Sequence, residues 1–312
     1  MEPEPADAWE RRLEQVGDLG PVHPTLLRHL ALPLLRQLED SLGCGTTQRR
    51  PVLALNGPVG AGKTSLGRVL ERLAALGGLR VVVASIDDVY LPAEQRRQVL
   101  AGNPFGVNRV PPGSHDLPLL LRALKAWRAG DPLRLPRFDK TQAGGEGERA
   151  GWREQPADAL VIEGWLMGCR SLGPLVLGTG LKNGAGLEAL TTEERDWLPL
   201  WDHHLAAYGE LWDACDGLWL LRPEQWSLPR RWRFQAEARQ RRSGGGWLRA
   251  DQLDGLVRAT LHSLPPALYQ DPLLKQDPCL ALKGGVFLDR RRRCRPLRAQ
   301  LSSLASASSA IG

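Results

Sequence analysis

Between Pro24 and Leu42 the apolar residues fall at Leu26, Leu27, Leu30, Leu34, Leu35 and Leu38, the spacing of one helical face. Pro33 inside this run predicts a bend or split, because proline lacks the donor that a helix interior needs. A polar linker, Gly43 to Arg50, leads to a short β-type run, Val52 to Asn56. After a glycine-rich turn, Leu66, Val69, Leu70, Leu73 and Leu76 form a helical stripe that stops at Gly77 and Gly78. Leu79 to Ile86 then reads as a buried strand. Strand, loop, helix and strand in this order predict a βαβ unit with parallel pairing and a right-handed crossover. Further apolar runs at Ala159 to Ile162 and Leu218 to Leu221 extend the sheet, so the fold class expected is α/β, a mainly parallel sheet flanked by helices.

The remaining segments are read the same way. Asp116 predicts an N-cap ahead of Leu120, Leu121, Leu124 and Trp127. Leu135 to Lys140 and Gly144 to Gly151 are expected as loops. Thr191-Thr192-Glu193-Glu194 has the spacing of a capping box and opens a helix with Trp197, Trp201, Leu205, Tyr208 and Trp212, divided at Pro199. Arg230 to Arg242 is expected as a helix halted at Gly244 to Gly246. The domain reading is an N-terminal helical extension and linker over 1–50 and one catalytic domain over 51–312, with a helical lid near 223–246 and a basic C-terminal segment at 284–312.

Composition narrows the class. The chain has 312 residues, 42% hydrophobic and 24% charged, with a formal net charge of +6, close to the soluble globular average and incompatible with disorder over most of its length. No apolar stretch approaches the roughly 18 residues of a membrane span, and Met1 to Glu10 is acidic rather than leader-like, so neither a membrane span nor a secretory signal is expected. Five scattered cysteines, Cys44, Cys169, Cys215, Cys279 and Cys294, suit free thiols in a reducing, cytoplasmic setting better than a disulfide framework or a zinc site. Arg290 to Arg293, with Arg295 and Arg298, lacks interleaved aromatics and reads as a solvated edge or tail, so no nucleic-acid partner is expected.

Chemistry begins at Gly57-Pro58-Val59-Gly60-Ala61-Gly62-Lys63-Thr64, followed by Ser65. This run matches G-x-x-x-x-G-K-[ST] and lies after a strand and before an amphipathic helix. Glycines let backbone N–H groups converge on phosphate oxygens, and the helix N-terminus adds positive dipole. Lys63 is placed to reach the β- and γ-phosphates, and the Thr64 hydroxyl to ligate magnesium. A nucleoside triphosphate, taken as ATP, is therefore expected. The guanine-reading Asn-Lys-x-Asp is lacking, so the acceptor is sought elsewhere.

The second strand ends in Ser85-Ile86-Asp87-Asp88-Val89-Tyr90-Leu91, where open α/β sheets bind ligands. A carboxylate here can orient an alcohol and take its proton during phosphoryl transfer. Asp87 is assigned that role, with Asp88 as helper; the alternative is a pair that only caps the helix after Pro92. Glu163, at the end of the third strand, sits where a carboxylate would hold magnesium or its water. The runs Asn108 to Asp116 and Leu135 to Lys140 are rich in cations. Arg109 and Arg137 are candidates to fork onto a substrate carboxylate, with Tyr90, His115 and Lys140 beside them. Arg233, on the helix beyond the fourth strand, is the candidate to close onto the transferring group; the alternative is a solvated helix paired with Glu237.

Taken together, GPVGAGKTS at Gly57 to Ser65, SIDDVYL at Ser85 to Leu91, PPGSHD at Pro111 to Asp116, LPRFDK at Leu135 to Lys140, EGWLMG at Glu163 to Gly168 and WRFQAE at Trp232 to Glu237 resemble the D-glycerate 3-kinase family. That family lies within the phosphoribulokinase, uridine kinase and pantothenate kinase group. The resemblance spans roughly residues 51–246. It implies a P-loop kinase fold, ATP, magnesium and transfer to the 3-hydroxyl of D-glycerate in photorespiratory carbon recovery, with Asp87 as the base. Val89 and Ser114 stand where the family pattern has Phe and Thr. The competing readings are a kinase for a nucleoside or pantothenate-like alcohol, and a regulatory nucleotide-binding protein that contacts nucleic acid.

Overall fold

The computed structural model describes residues 22–43, 49–183, 186–242, 244, 248–275 and 280–297, with positions 11 and 15. Arg298, Cys44, Cys279, Gly245 and Gly246 lie outside the described residues. The N-terminal leucine run forms Pro24–Leu26, a π-helical turn Leu27–Ala31 and helix α1, Leu32–Gly43. The irregularity expected from Pro33 falls in the preceding turn, where the missing proline N–H loosens the i→i−4 ladder.

Strand β1, Val52–Asn56, is followed by α2, Lys63–Leu76, and β2, Val81–Ser85. Helices α3, Ala93–Val99, and α4, Leu117–Arg128, come next, and Asp116 caps α4 through the Leu119 N–H at 3.0 Å. Strands β3, Leu133–Asp139, β4, Glu148–Gln155, and β5, Ala159–Gly164, lead to α5, Gly173–Asn183. The helix expected after Thr191 is divided just ahead of Pro199, into α6, Thr192–Asp196, and α7, Leu198–Ala206, and breaks once more before α8, Gly209–Asp213. Strand β6, Gly217–Pro223, helix α9, Leu228–Arg242, helix α10, Ala250–His262, and strands β7, Leu282–Leu288, and β8, Cys294–Pro296, complete the order.

The main sheet runs β2-β5-β1-β6-β7-β8, parallel throughout except for β8 against β7. Its strands alternate faces, as a period of two requires. Val52, Ala54, Leu160, Ile162, Leu218 and Leu220 meet the core containing Trp127, Trp201 and Trp212, whereas Leu53, Leu55, Val161 and Leu221 meet the core of α1 and α2. Leu30, Leu34, Leu35 and Leu38 are fully buried in that second core, so the helical segment ahead of the linker packs on the same face of the sheet as α2.

One expectation is corrected. Leu135 to Lys140 and much of Gly144 to Gly151 are not loops but parts of the antiparallel hairpin β3–β4. β4 buries no face, so its sequence carries no apolar alternation to reveal it. Of the solvated edge or tail expected for Arg290 to Arg293, the structure gives an edge: these residues turn from β7 into the edge strand β8, and Arg293 and Arg295 pair with Asp289 and Glu224.

Candidate active site

The ends of β2 and β5, the loop after β1, helix α9 and the β7–β8 turn enclose one cleft of about 830 Å³. At the end of β1 the chain turns through the phosphate-binding loop, tied down by Gly57 N–H donating to Gly164 O at 3.1 Å. Gly60 and Gly62 hold φ of +78° and +95°, the left-handed region. A methyl at Gly60 would lie 2.7 Å from the Arg233 backbone nitrogen and 2.9 Å from Trp232 Cβ, so the start of α9 rests directly on the loop.

Lys63, Thr64 and Glu163 form one cluster. Lys63 Nζ is 3.8 Å from Glu163 Oε2 and donates to Pro58 O at 3.3 Å, and the Thr64 hydroxyl donates to Glu163 Oε1 at 3.4 Å. Burial raises the Glu163 carboxyl above its ordinary range, and the Lys63 ammonium opposes it. A buried strand-end glutamate needs a compensating cation, and here it is Lys63.

Across the cleft, Ser85 caps the turn Ile86–Val89 and places the two aspartates differently. Asp88 Oδ2 folds back to accept from the Ser85 N–H at 3.3 Å, and burial, with Asp87 and Glu163 close by, pushes its carboxyl up to about 6. Asp87 faces the cleft with its side chain 29% exposed, accepting from the Tyr90 hydroxyl at 2.9 Å on Oδ1 and from Lys140 Nζ at 3.1 Å on Oδ2. Burial alone would raise Asp87, but Lys140 and the Tyr90 hydroxyl overcome it and hold this carboxyl well below the usual carboxylate range. His115 is pushed down to about 4 by its burial, so it is uncharged at neutral pH and adds to that effect only in acid.

His115 is not on the cleft wall. Its ring stacks on Tyr90 at 4.5 Å, with Nδ1 2.6 Å from the Tyr208 hydroxyl, which also accepts from the Gly113 N–H. The assignment of His115 as a substrate ligand becomes that of a support behind Tyr90. Arg109 does line the cleft, and its Nη1 donates to Gly145 O at 2.9 Å and Glu146 O at 2.6 Å, pinning the hairpin turn. Arg137 does not: it is exposed at the irregularity of β3 between Pro136 and Phe138, and it lines a neighbouring groove of about 380 Å³ together with Phe138, Asp88 and Arg153. Arg233 reaches the cleft and is held by Glu237 at 2.7 Å.

The cleft also takes in residues that the motifs did not single out. His23 comes from the segment before α1, Arg239 from α9, Thr260 from α10, and Arg292 from the β7–β8 turn. Arg292 lies over the Trp232 ring at 5.9 Å and donates to Trp232 O at 3.4 Å. No local signal separates Arg292 from the other arginines of its run.

Among the described residues no three His, Cys, Asp or Glu side chains group as a metal cage. A hydroxyl and one buried carboxylate beside a phosphate-binding loop instead fit magnesium, which keeps most of its waters and shares phosphate oxygens. Among the same residues no helix is long and apolar enough to cross a membrane.

A phosphate loop ahead of α2, a strand-end aspartate opposite it and a mainly parallel sheet give the chain the fold shared by P-loop kinases. Within that class the chain is similar to D-glycerate 3-kinases. It is 27% identical over 292 residues to the chloroplastic D-glycerate 3-kinase of Arabidopsis thaliana, covering 86% of this chain and 61% of the relative. The structure of D-glycerate 3-kinase from Cryptococcus neoformans var. grubii superposes with a TM-score of 0.71 at 26% identity, over 85% of this chain and 94% of that one. A probable ATP-dependent kinase of Saccharomyces cerevisiae, TDA10, is 33% identical over 128 residues, 36% of this chain and 44% of that protein. The chain thus spans under two thirds of the length of both curated relatives. No protein-family model matches it.

Proposed function

We propose that the protein is an ATP-dependent kinase that transfers the γ-phosphoryl group to the 3-hydroxyl of D-glycerate, giving 3-phosphoglycerate and ADP. The observation that carries this reading is the placement of Asp87 in the same cleft as the Gly57–Thr64 turn, its carboxylate exposed to an incoming alcohol and flanked by Lys140. The likeness to proteins named D-glycerate 3-kinase supports the acceptor.

The chain's own groups do the work by position and charge. Backbone N–H groups of the Gly57–Thr64 loop and the start of α2 hold the phosphates, and Lys63 spreads positive charge over the β- and γ-oxygens. Asp87 accepts a hydrogen bond from the acceptor hydroxyl, aims its oxygen at phosphorus and takes the proton as the new bond forms. Thr64 and Glu163 would hold magnesium, which neutralises phosphate charge when bound. Arg109 and Lys140 face the acceptor's carboxylate. Tyr90 is fully buried between His115 and Phe138, so it offers no open ring for a nucleoside base to stack on, which favours a small acid over a nucleoside.

A coupled ADP-release assay with D-glycerate, uridine and pantothenate tests the acceptor. Asp87→Asn should lower turnover about 10²- to 10⁴-fold, as loss of a positioned general base does, while ATP binding persists. Near-normal glycerate phosphorylation by this variant would refute the role of Asp87; uridine or pantothenate outpacing glycerate would refute the acceptor.

A further inference from the structure

Two arginines of the cleft meet without an acid between them. Arg292 comes from the β7–β8 turn and Arg239 from α9, and both line the cleft with the phosphate loop. Among the described residues neither has a carboxylate partner. Arg292 Nε is buried with no hydrogen-bond partner, and the bond from Nη2 to Trp232 O is 3.4 Å long. Burial, and after it the charge of Arg239, push this guanidinium below its ordinary value. A partly buried cation facing another cation is costly to hold. The turn nevertheless fixes it there. Arg292 has φ of +62°, a conformation that long side chains seldom adopt. Asp289 holds that conformation: its Oδ1 accepts from the Arg291 and Arg293 N–H groups at 2.7 and 2.9 Å, and its carbonyl from the Arg292 N–H at 2.9 Å. Fully buried Trp232 bridges the turn and the phosphate loop: its Nε1 donates to Arg290 O at 3.2 Å, and its Cβ abuts Gly60.

Strand order says which phosphates these cations meet. In the order β2-β5-β1-β6-β7-β8, the loop after β1 has Asp87 and Glu163 on one side and the β7–β8 turn on the other. The γ-phosphate must face Asp87, so the α-phosphate and the nucleoside extend toward Arg292. Building on the ATP reading, we propose that Arg292 and Arg239 form a clamp on the α- and β-phosphates of the nucleotide, two like charges held facing each other until an anion enters between them. Lys63 and Arg233 serve the group that is transferred, whereas this pair holds the part that remains as ADP. It therefore acts on substrate and product nucleotide alike. Without nucleotide the two charges oppose the seating of α9 beside the turn; with it they reinforce that seating.

Calorimetric titration of ADP and ATP into wild type, Arg292→Met, Arg239→Met and Arg292→Lys, with magnesium, tests the clamp. Each methionine variant should raise Kd about 10- to 100-fold, the loss expected for a charge-assisted hydrogen bond, and by the same factor for ADP and ATP. Arg292→Lys keeps the charge and should recover most of the affinity. Melting without nucleotide gives an independent reading. Free Arg292→Met should melt no lower than wild type, because a like-charge pair is gone, while the rise in melting point at a fixed ADP concentration should shrink. A Kd for ADP within twofold of wild type in both methionine variants would overturn the clamp. So would a loss confined to ATP, which would put these arginines on the transferred group, or an Arg292→Lys no better than Arg292→Met. Free Arg292→Met that melts lower, with the ADP-induced rise unchanged, would overturn it as well, since a mere strut beneath Trp232 gives that result. Wild type that binds neither nucleotide would instead refute the ATP reading, and the clamp with it.

Discussion

Replacing Lys63 with methionine tests whether the phosphate loop and the third strand are joined by charge. Lys63 and Glu163 lie 3.8 Å apart with side chains only 12% and 6% exposed, so the pair is largely shielded from water. At an effective dielectric of about 20, their attraction is roughly 4 kcal/mol before desolvation. Removing one member of a buried pair typically costs about 3–5 kcal/mol, because the other is left uncompensated. The Thr64 hydroxyl still donates to Glu163, so we expect about 3 kcal/mol at pH 8. The sign with pH follows from Glu163. Burial already raises its carboxyl above the ordinary value of 4.5, and loss of Lys63 raises it further. The folded variant then binds this proton more tightly than the unfolded chain does. Its stability therefore falls as pH rises from near 4.5 through the elevated value and levels off above it. Urea midpoints should show the deficit against wild type to be largest at pH 8 and to shrink toward pH 5, and the double variant Lys63→Met/Glu163→Gln should regain most of it. A deficit of equal size at both pH values, or a double variant no more stable than Lys63→Met, would refute this account of the pair.

Two further outcomes follow from the same cleft. Gly60→Ala puts an alanine at φ +78°, worth about 1–2 kcal/mol, and drives its methyl against the backbone of Arg233, for about 1–3 kcal/mol more; a melting point unchanged from wild type, with an unchanged KM for ATP, would contradict the close seating of α9 on the loop. Asp88, pushed up to about 6 by burial and its acidic neighbours, withdraws stability as pH rises from its ordinary 3.8 through 6. Asp88→Asn should therefore be more stable than wild type by about 1–2 kcal/mol at pH 8 and indistinguishable from it below about pH 4, as denaturant titrations at the two pH values would reveal.

Some of this protein is local in origin and so legible along the chain. The Gly57–Thr64 turn is specified by glycines that alone tolerate its backbone, and the flanking β1 and α2 announce themselves by apolar period, so the phosphate site could be read directly. Asp116 and Thr191 cap helices through contacts three residues long, and both are found where their spacing placed them. Asp87 and Glu163 share one cleft because strand ends in a parallel sheet gather on one side whatever the strand order.

What tertiary structure decided is which side chains share that cleft. Arg137 and Lys140 are equally plausible cations in one short run, yet Arg137 lies at the irregularity of β3 and lines a neighbouring groove while the end of the strand delivers Lys140 to Asp87. His115 carries no mark that it will be buried behind Tyr90, because that depends on Tyr208 arriving from α7's far end. Arg292 enters the cleft only because β7 joins the sheet beside β6 and turns back into β8 over Trp232. Backbone conformation and apolar period act over a few neighbouring residues and are written in the chain. The company a charged side chain keeps is set by strand order, which comes into being only when distant segments pack.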